Sequence, residues 1–124
     1  MPLITILVED NPIIRDSLIP AMAELGGLTV VATADTAAAA IEALREHRDD
    51  WQLAVVDLFL NQGSGLTVVR ACRQRKENQH VLVLTNYATA EIRKRCLDLG
   101  VDGIFDKSTE LEKFFAQCNA YWHA

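Results

Sequence analysis

Leu3-Ile4-Thr5-Ile6-Leu7-Val8-Glu9-Asp10-Asn11-Pro12 decides the fold. The run from Leu3 to Val8 is apolar and rich in β-branched residues, with no polar alternation, which suits a strand buried on both faces. Glu9 and Asp10 close it, and Asn11-Pro12 reads as a helix cap followed by proline at the first helical position. Ile13, Ile14, Leu18, Met22 and Leu25 then recur at helical spacing until Gly26-Gly27 stops the pattern. Pro20 lies inside that stretch and is expected to kink it.

The same strand–helix unit recurs along the chain. Leu28 to Ala34 reads as a second strand, and Asp35 as the cap of an alanine-rich helix to about Arg48. Leu53 to Val56 is a third strand ending at Asp57, followed by a turn over Asn61 to Gly65 in which Gly63 and Gly65 supply permissive backbone. A helix from about Leu66 to Lys76 follows, then a fourth strand, Val81 to Leu84, ending at Thr85. A helix from about Thr89 to Leu99 stops at Gly100, and Ile104-Phe105 forms a short strand leading to Lys107. Thr109 with Glu112 predicts a capping box for the last helix. Strict alternation with short connections implies a parallel sheet covered by helices on both faces. The expectation is one domain over 1–124 with no linker and no output domain.

Composition narrows the function classes. With 17 acidic against 12 basic side chains and a net charge of −5, a whole-domain nucleic-acid surface is not expected. The local cluster Arg70, Arg73, Arg75, Lys76 reads as a solvated helix end. No apolar run approaches the roughly 20 residues that cross a bilayer, and the N-terminus lacks the features of a signal peptide. Cys72, Cys96 and Cys118 are widely spaced without a metal-ligand pattern, which suits small core residues in a reducing cytoplasm. His47, His80 and His123 share no site-like spacing. Phe114 and Phe115 read as core; Tyr121 and Trp122 are either exposed contacts or packed on the domain.

Ligands of open α/β sheets bind beyond the carboxyl ends of the strands, where strand order reverses. Here those ends carry Glu9-Asp10, Asp57, Thr85 and Lys107. Each alone is ordinary, since an acidic residue after a strand usually caps a helix or makes a turn. Together the carboxylates would repel one another or hold protons unless a hard cation joined them, and oxygen-only ligation suits Mg²⁺. Meeting at one metal requires the first and third strands to be neighbours, as in the doubly wound flavodoxin-like order 2-1-3-4-5. Phosphoryl transfer then follows, with Asp57 as nucleophile. The metal, Lys107 and the Thr85 hydroxyl would meet the phosphoryl oxygens.

These residues carry a family resemblance. Val8-Glu9-Asp10-Asn11, Val55-Val56-Asp57-Leu58 with Gly63-Ser64-Gly65-Leu66, Val83-Leu84-Thr85-Asn86 and Asp106-Lys107-Ser108 stand in order at strand ends. The chain thereby resembles the receiver domains of two-component response regulators over essentially its whole length. The resemblance implies that Asp57 accepts a phosphoryl group from a phosphohistidine on a sensor histidine kinase or a histidine phosphotransfer protein. It further implies Mg²⁺ held by Asp10, Asp57 and the backbone carbonyl of Phe59, with Glu9 acting through a water. Thr85 and Lys107 would contact the phosphoryl group, and a downstream protein would read the change, through a surface near Ala88 to Leu99 and the last strand and helix. Such a protein is a cytoplasmic switch rather than a turnover enzyme, with no nucleic acid or membrane partner.

Three positions depart from the family pattern: Ile104 stands where an aromatic switch residue is common, Ser108 where proline is, and Asn86 where a small residue is. A smaller rearrangement on activation is expected. Phe59 and Tyr87 would flank the approach of hydrolytic water. A dehalogenase-like phosphatase would need a second Asp where Phe59 stands. A flavin-type binder would need a phosphate-cradling loop where Glu9-Asp10-Asn11-Pro12 stands. A pseudo-receiver would lack some of the five site side chains.

Overall fold

The computed structural model describes residues 2–123, with the side chains of Trp122 and His123 outside the described set; the expectations placed on those two side chains fall there too. Ten elements alternate without exception: β1 (Leu3–Val8), α1 (Pro12–Gly26), β2 (Leu28–Ala34), α2 (Ala37–Glu46), β3 (Leu53–Val56), α3 (Gly65–Ala71), β4 (His80–Thr85), α4 (Ala90–Asp98), β5 (Gly103–Asp106) and α5 (Leu111–His123). The strands form one parallel sheet in the order β2-β1-β3-β4-β5, the flavodoxin-like arrangement expected. Val8 pairs with Val56, and Thr85 with Asp106. Glu9 and Asp57 therefore leave the sheet side by side, and Lys107 leaves it next to Thr85.

Alternation along the buried strands builds two cores. Ile6, Val8, Ala54, Val56, Val81, Val83 and Ile104 pack on Ala40, Ala43, Val68, Val69 and Cys96 from α2, α3 and α4. Leu3, Leu7, Leu53, Val55, Leu82 and Leu84 pack on Leu18, Met22, Phe114, Phe115 and Cys118 from α1 and α5. Every residue of β3 is buried, which is why its sequence shows no polar alternation. The cysteines are buried as expected, and burial pushes their thiols up, to about 11 for Cys72 and about 12 for Cys118. Tyr121 packs on the domain, its ring stacked 3.8 Å from that of His80.

The ends of α1 follow the sequence. Asn11 accepts from the N–H groups of Ile13 and Ile14, and Gly27 takes the left-handed conformation at φ 64°, which costs glycine little. Pro20 does not interrupt the helix. The carbonyl left without its usual helical donor, that of Asp16, lies on an exposed residue within reach of solvent.

Elsewhere local signals were overridden. Thr36, not Asp35, caps α2, its hydroxyl accepting from Ala39 N–H at 3.1 Å, because the start of α2 is pinned by Ala37 N–H donating to Gln62 carbonyl. The Thr109–Glu112 capping box does not form. Asp106 instead accepts from the N–H groups of Ser108 and Thr109, and the helix begins at Leu111. α3 stops at Ala71 rather than Lys76. Beyond it Arg75 turns inward and donates to the carbonyls of Cys72, Gln79 and Gly100 and to Asp102. The expected solvated basic helix end is thus, at Arg75, a half-buried structural clamp.

The cap assignment has a direct check. Thr36→Ala should lower stability in urea unfolding by about 1 kcal/mol, while Asp35→Ala should stay within about 0.5 kcal/mol of wild type. The reverse ranking would contradict the observed cap.

Candidate phosphoacceptor and metal site

The rim of the sheet is built by backbone hydrogen bonds that continue past the strands. Glu9 N–H donates to Ala34 carbonyl, Asp57 N–H to Val8 carbonyl and Lys107 N–H to Thr85 carbonyl, each within 3.0 Å. The side chains are therefore fixed at their roots. Glu9 is 1% exposed and Asp57 8%, and the Lys107 ammonium reaches both: it pairs with Glu9 Oε1 and lies 3.0 Å from Asp57 Oδ2. Glu9 Oε2 accepts from Asn11 N–H and Asp57 Oδ1 from Phe59 N–H, each at 3.2 Å. Burial pushes the Glu9 carboxyl above its ordinary value, with Lys107 pulling the other way. For Lys107 burial works downward, but the Glu9 hydrogen bond and the Asp57 charge outweigh it and hold the ammonium above its usual range.

Glu9, Asp10 and Asp57 each present a carboxylate oxygen within 4.8 Å of the others. Lys107 neutralises part of that charge, and the remainder suits a divalent cation held by oxygen ligands. The donor set fits Mg²⁺: hard oxygens only, open to solvent on one side. That opening is a cleft of about 260 Å³ between Glu9, Asp10, Asn11, Ile14, Asp57, Phe59, Asn86, Tyr87 and Lys107. A water occupies about 30 Å³, so the space accommodates a hydrated ion beside a phosphoryl group. Thr85 does not line the cleft; it is fully buried, and its hydroxyl accepts from Tyr87 N–H at 3.3 Å. Phe59 and Tyr87 flank the opening edge to face, ring centroids 4.8 Å apart.

The sequence offers Gly65 as permissive backbone in a turn, but it opens α3 in the helix. Its role is close approach: a methyl there would overlap the Asp57 carbonyl oxygen and stand 2.5 Å from Leu58 Cα. Asn11, which the sequence presents as a helix cap, also orients Glu9 through its N–H. The Glu-Asp-Asn spacing was visible, but the hydrogen bond needs the chain to turn at Asp10.

A model of the response regulator receiver domain matches residues 5–119. The chain belongs to that family. It is a phosphorylation-dependent switch of two-component signalling, and receivers bind Mg²⁺ in an acidic pocket. A Pseudomonas aeruginosa protein named as a transcriptional regulator is 31% identical over 115 residues, covering 93% of this chain and 54% of its own length. The photosynthetic apparatus regulatory protein RegA of Rhodobacter capsulatus is 30% identical over 105 residues, with 85% and 55% covered. The chain spans about half the length of these relatives. The signal receiver domain of NarL from Mycobacterium tuberculosis superposes with a TM-score of 0.80 at 25% identity, covering 96% and 97% of the two chains. CheY in the CheX–CheY–BeF3–Mg²⁺ complex of Borrelia burgdorferi shares the fold, with a TM-score of 0.85 at 16% identity and 100% and 91% covered. Among the described residues no helix is long and apolar enough to cross a membrane.

The metal reading is tested by melting. Mg²⁺ at a hundredfold excess over its dissociation constant should stabilise the receiver by about 2.7 kcal/mol. Asp10→Ala should abolish that response. Because Asp10 has no ion-pair partner among the described residues, its removal should also raise apo stability by relieving repulsion. A Mg²⁺-dependent shift surviving in Asp10→Ala would exclude Asp10 as a ligand.

Proposed function

We propose that Asp57 is the phosphoacceptor of a single receiver unit, charged by the phosphohistidine of a sensor histidine kinase or histidine phosphotransfer protein and read by a partner protein. The observation that carries this is the Lys107 ammonium 3.0 Å from Asp57 Oδ2 inside the acidic cluster. A carboxylate oxygen of Asp57 attacks phosphorus, the P–N bond to the donor imidazole breaks, and that imidazole leaves with the bond's electron pair and is reprotonated. Lys107, already beside the attacked carboxylate, follows the incoming oxygens, where positive charge lowers the barrier. Asp10, Asp57 and the Phe59 carbonyl would hold Mg²⁺ directly and Glu9 through a water, and the ion would supply the remaining charge neutralisation.

Thr85 completes the switch. Its hydroxyl, now engaged by Tyr87 N–H, turns toward a phosphoryl oxygen and draws the loop at Asn86 and Tyr87 with it. Ile104 is buried behind the site and has no polar tip to exchange between core and solvent, which supports a limited rearrangement of β5. The protein works in the cytoplasm as a switch and turns over no substrate beyond its own phosphoryl group.

The deciding experiment is incubation with acetyl phosphate and Mg²⁺. One phosphoryl group should be added to wild type and none to Asp57→Asn; equal labelling of both would remove Asp57 from its role.

The lifetime of the phosphorylated state follows from the rings at the opening. Phe59 has no polar side-chain atom to orient a water, and with Tyr87 it screens the phosphorus from in-line attack. Self-dephosphorylation should be slow in wild type and faster in Phe59→Asn, with a smaller gain in Tyr87→Ala because that change also removes a hydroxyl able to hold a water. Unchanged decay in both variants would show that the rings do not shield.

A further inference from the structure

We propose that Arg93 is a positioning residue for phosphoryl transfer: its guanidinium ties the loop after β4 to the loop that carries Lys107. The inference rests on the reading of Asp57 as acceptor.

Arg93 lies in α4, outside the acidic cleft, yet its side chain joins three separate segments. Nε donates to Ala88 carbonyl at 2.9 Å, Nη1 to Ile104 carbonyl at 3.2 Å, and Nη2 to Glu110 Oε1. Glu110 Oε1 also accepts from Asp106 N–H at 3.0 Å, the residue immediately before Lys107. On the other side, Ala88 continues the loop of Asn86 and Tyr87, two residues that line the cleft. One guanidinium and one carboxylate thus hold both phosphoryl-contacting strand ends in a fixed relation.

An ion pair this exposed, with 37% of the Arg93 side chain accessible, adds little stability by itself. Its geometry argues for more than that. A surface pair would need one contact, whereas this fork meets two backbone carbonyls and a carboxylate that itself accepts from Asp106 N–H. Arginine supplies such a planar fork and lysine does not. The aliphatic Ile104 side chain on β5 offers no hydrogen bond to the loop after β4. Arg93 makes that connection through the Ile104 carbonyl instead. The Arg93 hydrogen bond also holds the Glu110 carboxyl below the usual carboxylate range, so the pair stays ionised.

The test measures the rate of Asp57 phosphorylation by acetyl phosphate, and separately the midpoint of its Mg²⁺ dependence, in the full chain. Arg93→Ala should slow phosphorylation about tenfold, since small misplacements of catalytic groups carry large rate losses, while the Mg²⁺ midpoint moves less than about twofold because no metal ligand is touched. Arg93→Lys should not restore the rate. Glu110→Gln should be slow alone and add little on top of Arg93→Ala, as expected for two members of one unit. If Arg93→Ala does not fold, Arg93→Gln takes its place under the same readings. A folded variant with a lowered melting temperature and a wild-type rate would reduce the network to ordinary stability and overturn the proposal. If Asp57→Asn is inert while Arg93→Ala matches wild type, the positioning role falls alone; if Asp57→Asn is labelled like wild type, the acceptor reading falls first.

Discussion

One ammonium group between two buried carboxylates organises this molecule. Glu9 and Asp57 leave adjacent strands at the same level, because Val8 and Val56 are paired in register, and no folded arrangement of β1 and β3 in this order can separate them. Lys107 makes that proximity tolerable by pairing with both. Removing one member of such a group leaves an uncompensated buried charge, which is far more costly than the pair itself is favourable. The lysine therefore stands where the proposed cation and phosphoryl group would bring further charge, and on that proposal each of those events would reshuffle the Lys107 contacts.

The rest of the fold serves to bring the lysine there. β5 lies at the sheet edge and only one of its residues is buried, so its hold on the sheet is weaker than that of the central, wholly buried β3. The loop after it is fixed instead by polar contacts, with Asp106 accepting from Ser108 and Thr109 and Glu110 bridging to Arg93. Hydrogen bonds of this kind have definite geometry and can be exchanged singly, whereas packed aliphatic contacts cannot. A switch is better built on the former and its scaffold on the latter. Here the partition follows the sheet, with the apolar register of β1, β3 and β4 behind and the polar loops in front.

The sequence was most legible where one residue type had one use. Buried strands announced themselves by runs such as Leu53 to Val56, the α1 cap by Asn-Pro, its end by Gly27, and the acidic rim by Glu9, Asp10 and Asp57. Their convergence in space could be argued because electrostatics demanded a common counter-charge. Legibility failed where two neighbours could do the same job and a distant contact chose between them. Asp35 and Thr36 are both good caps, and the Gln62 carbonyl decided. Thr109 and Glu112 had the right spacing, but Asp106 captured the N–H groups first. Arg75 looked like one of several exposed cations because its acceptors at Gly100 and Asp102 lie some twenty-five positions away. The Arg93–Glu110 bridge was invisible for the same reason. Gly65 was noticed but misread, since a glycine needed for close approach and one needed for an unusual backbone angle look alike in a sequence.

The buried thiols have a practical side. A neutral thiol is a poor nucleophile, and Cys72, Cys96 and Cys118 are all enclosed in the two cores with burial holding each in that neutral form. Alkylating reagents at neutral pH meet no competent sulfur on the native surface. A single cysteine introduced on an exposed helix position would then be the sole site of attachment for a fluorophore or spin label, without first stripping the natural cysteines from the core. The chain is in that sense already prepared for spectroscopy of its own conformational change.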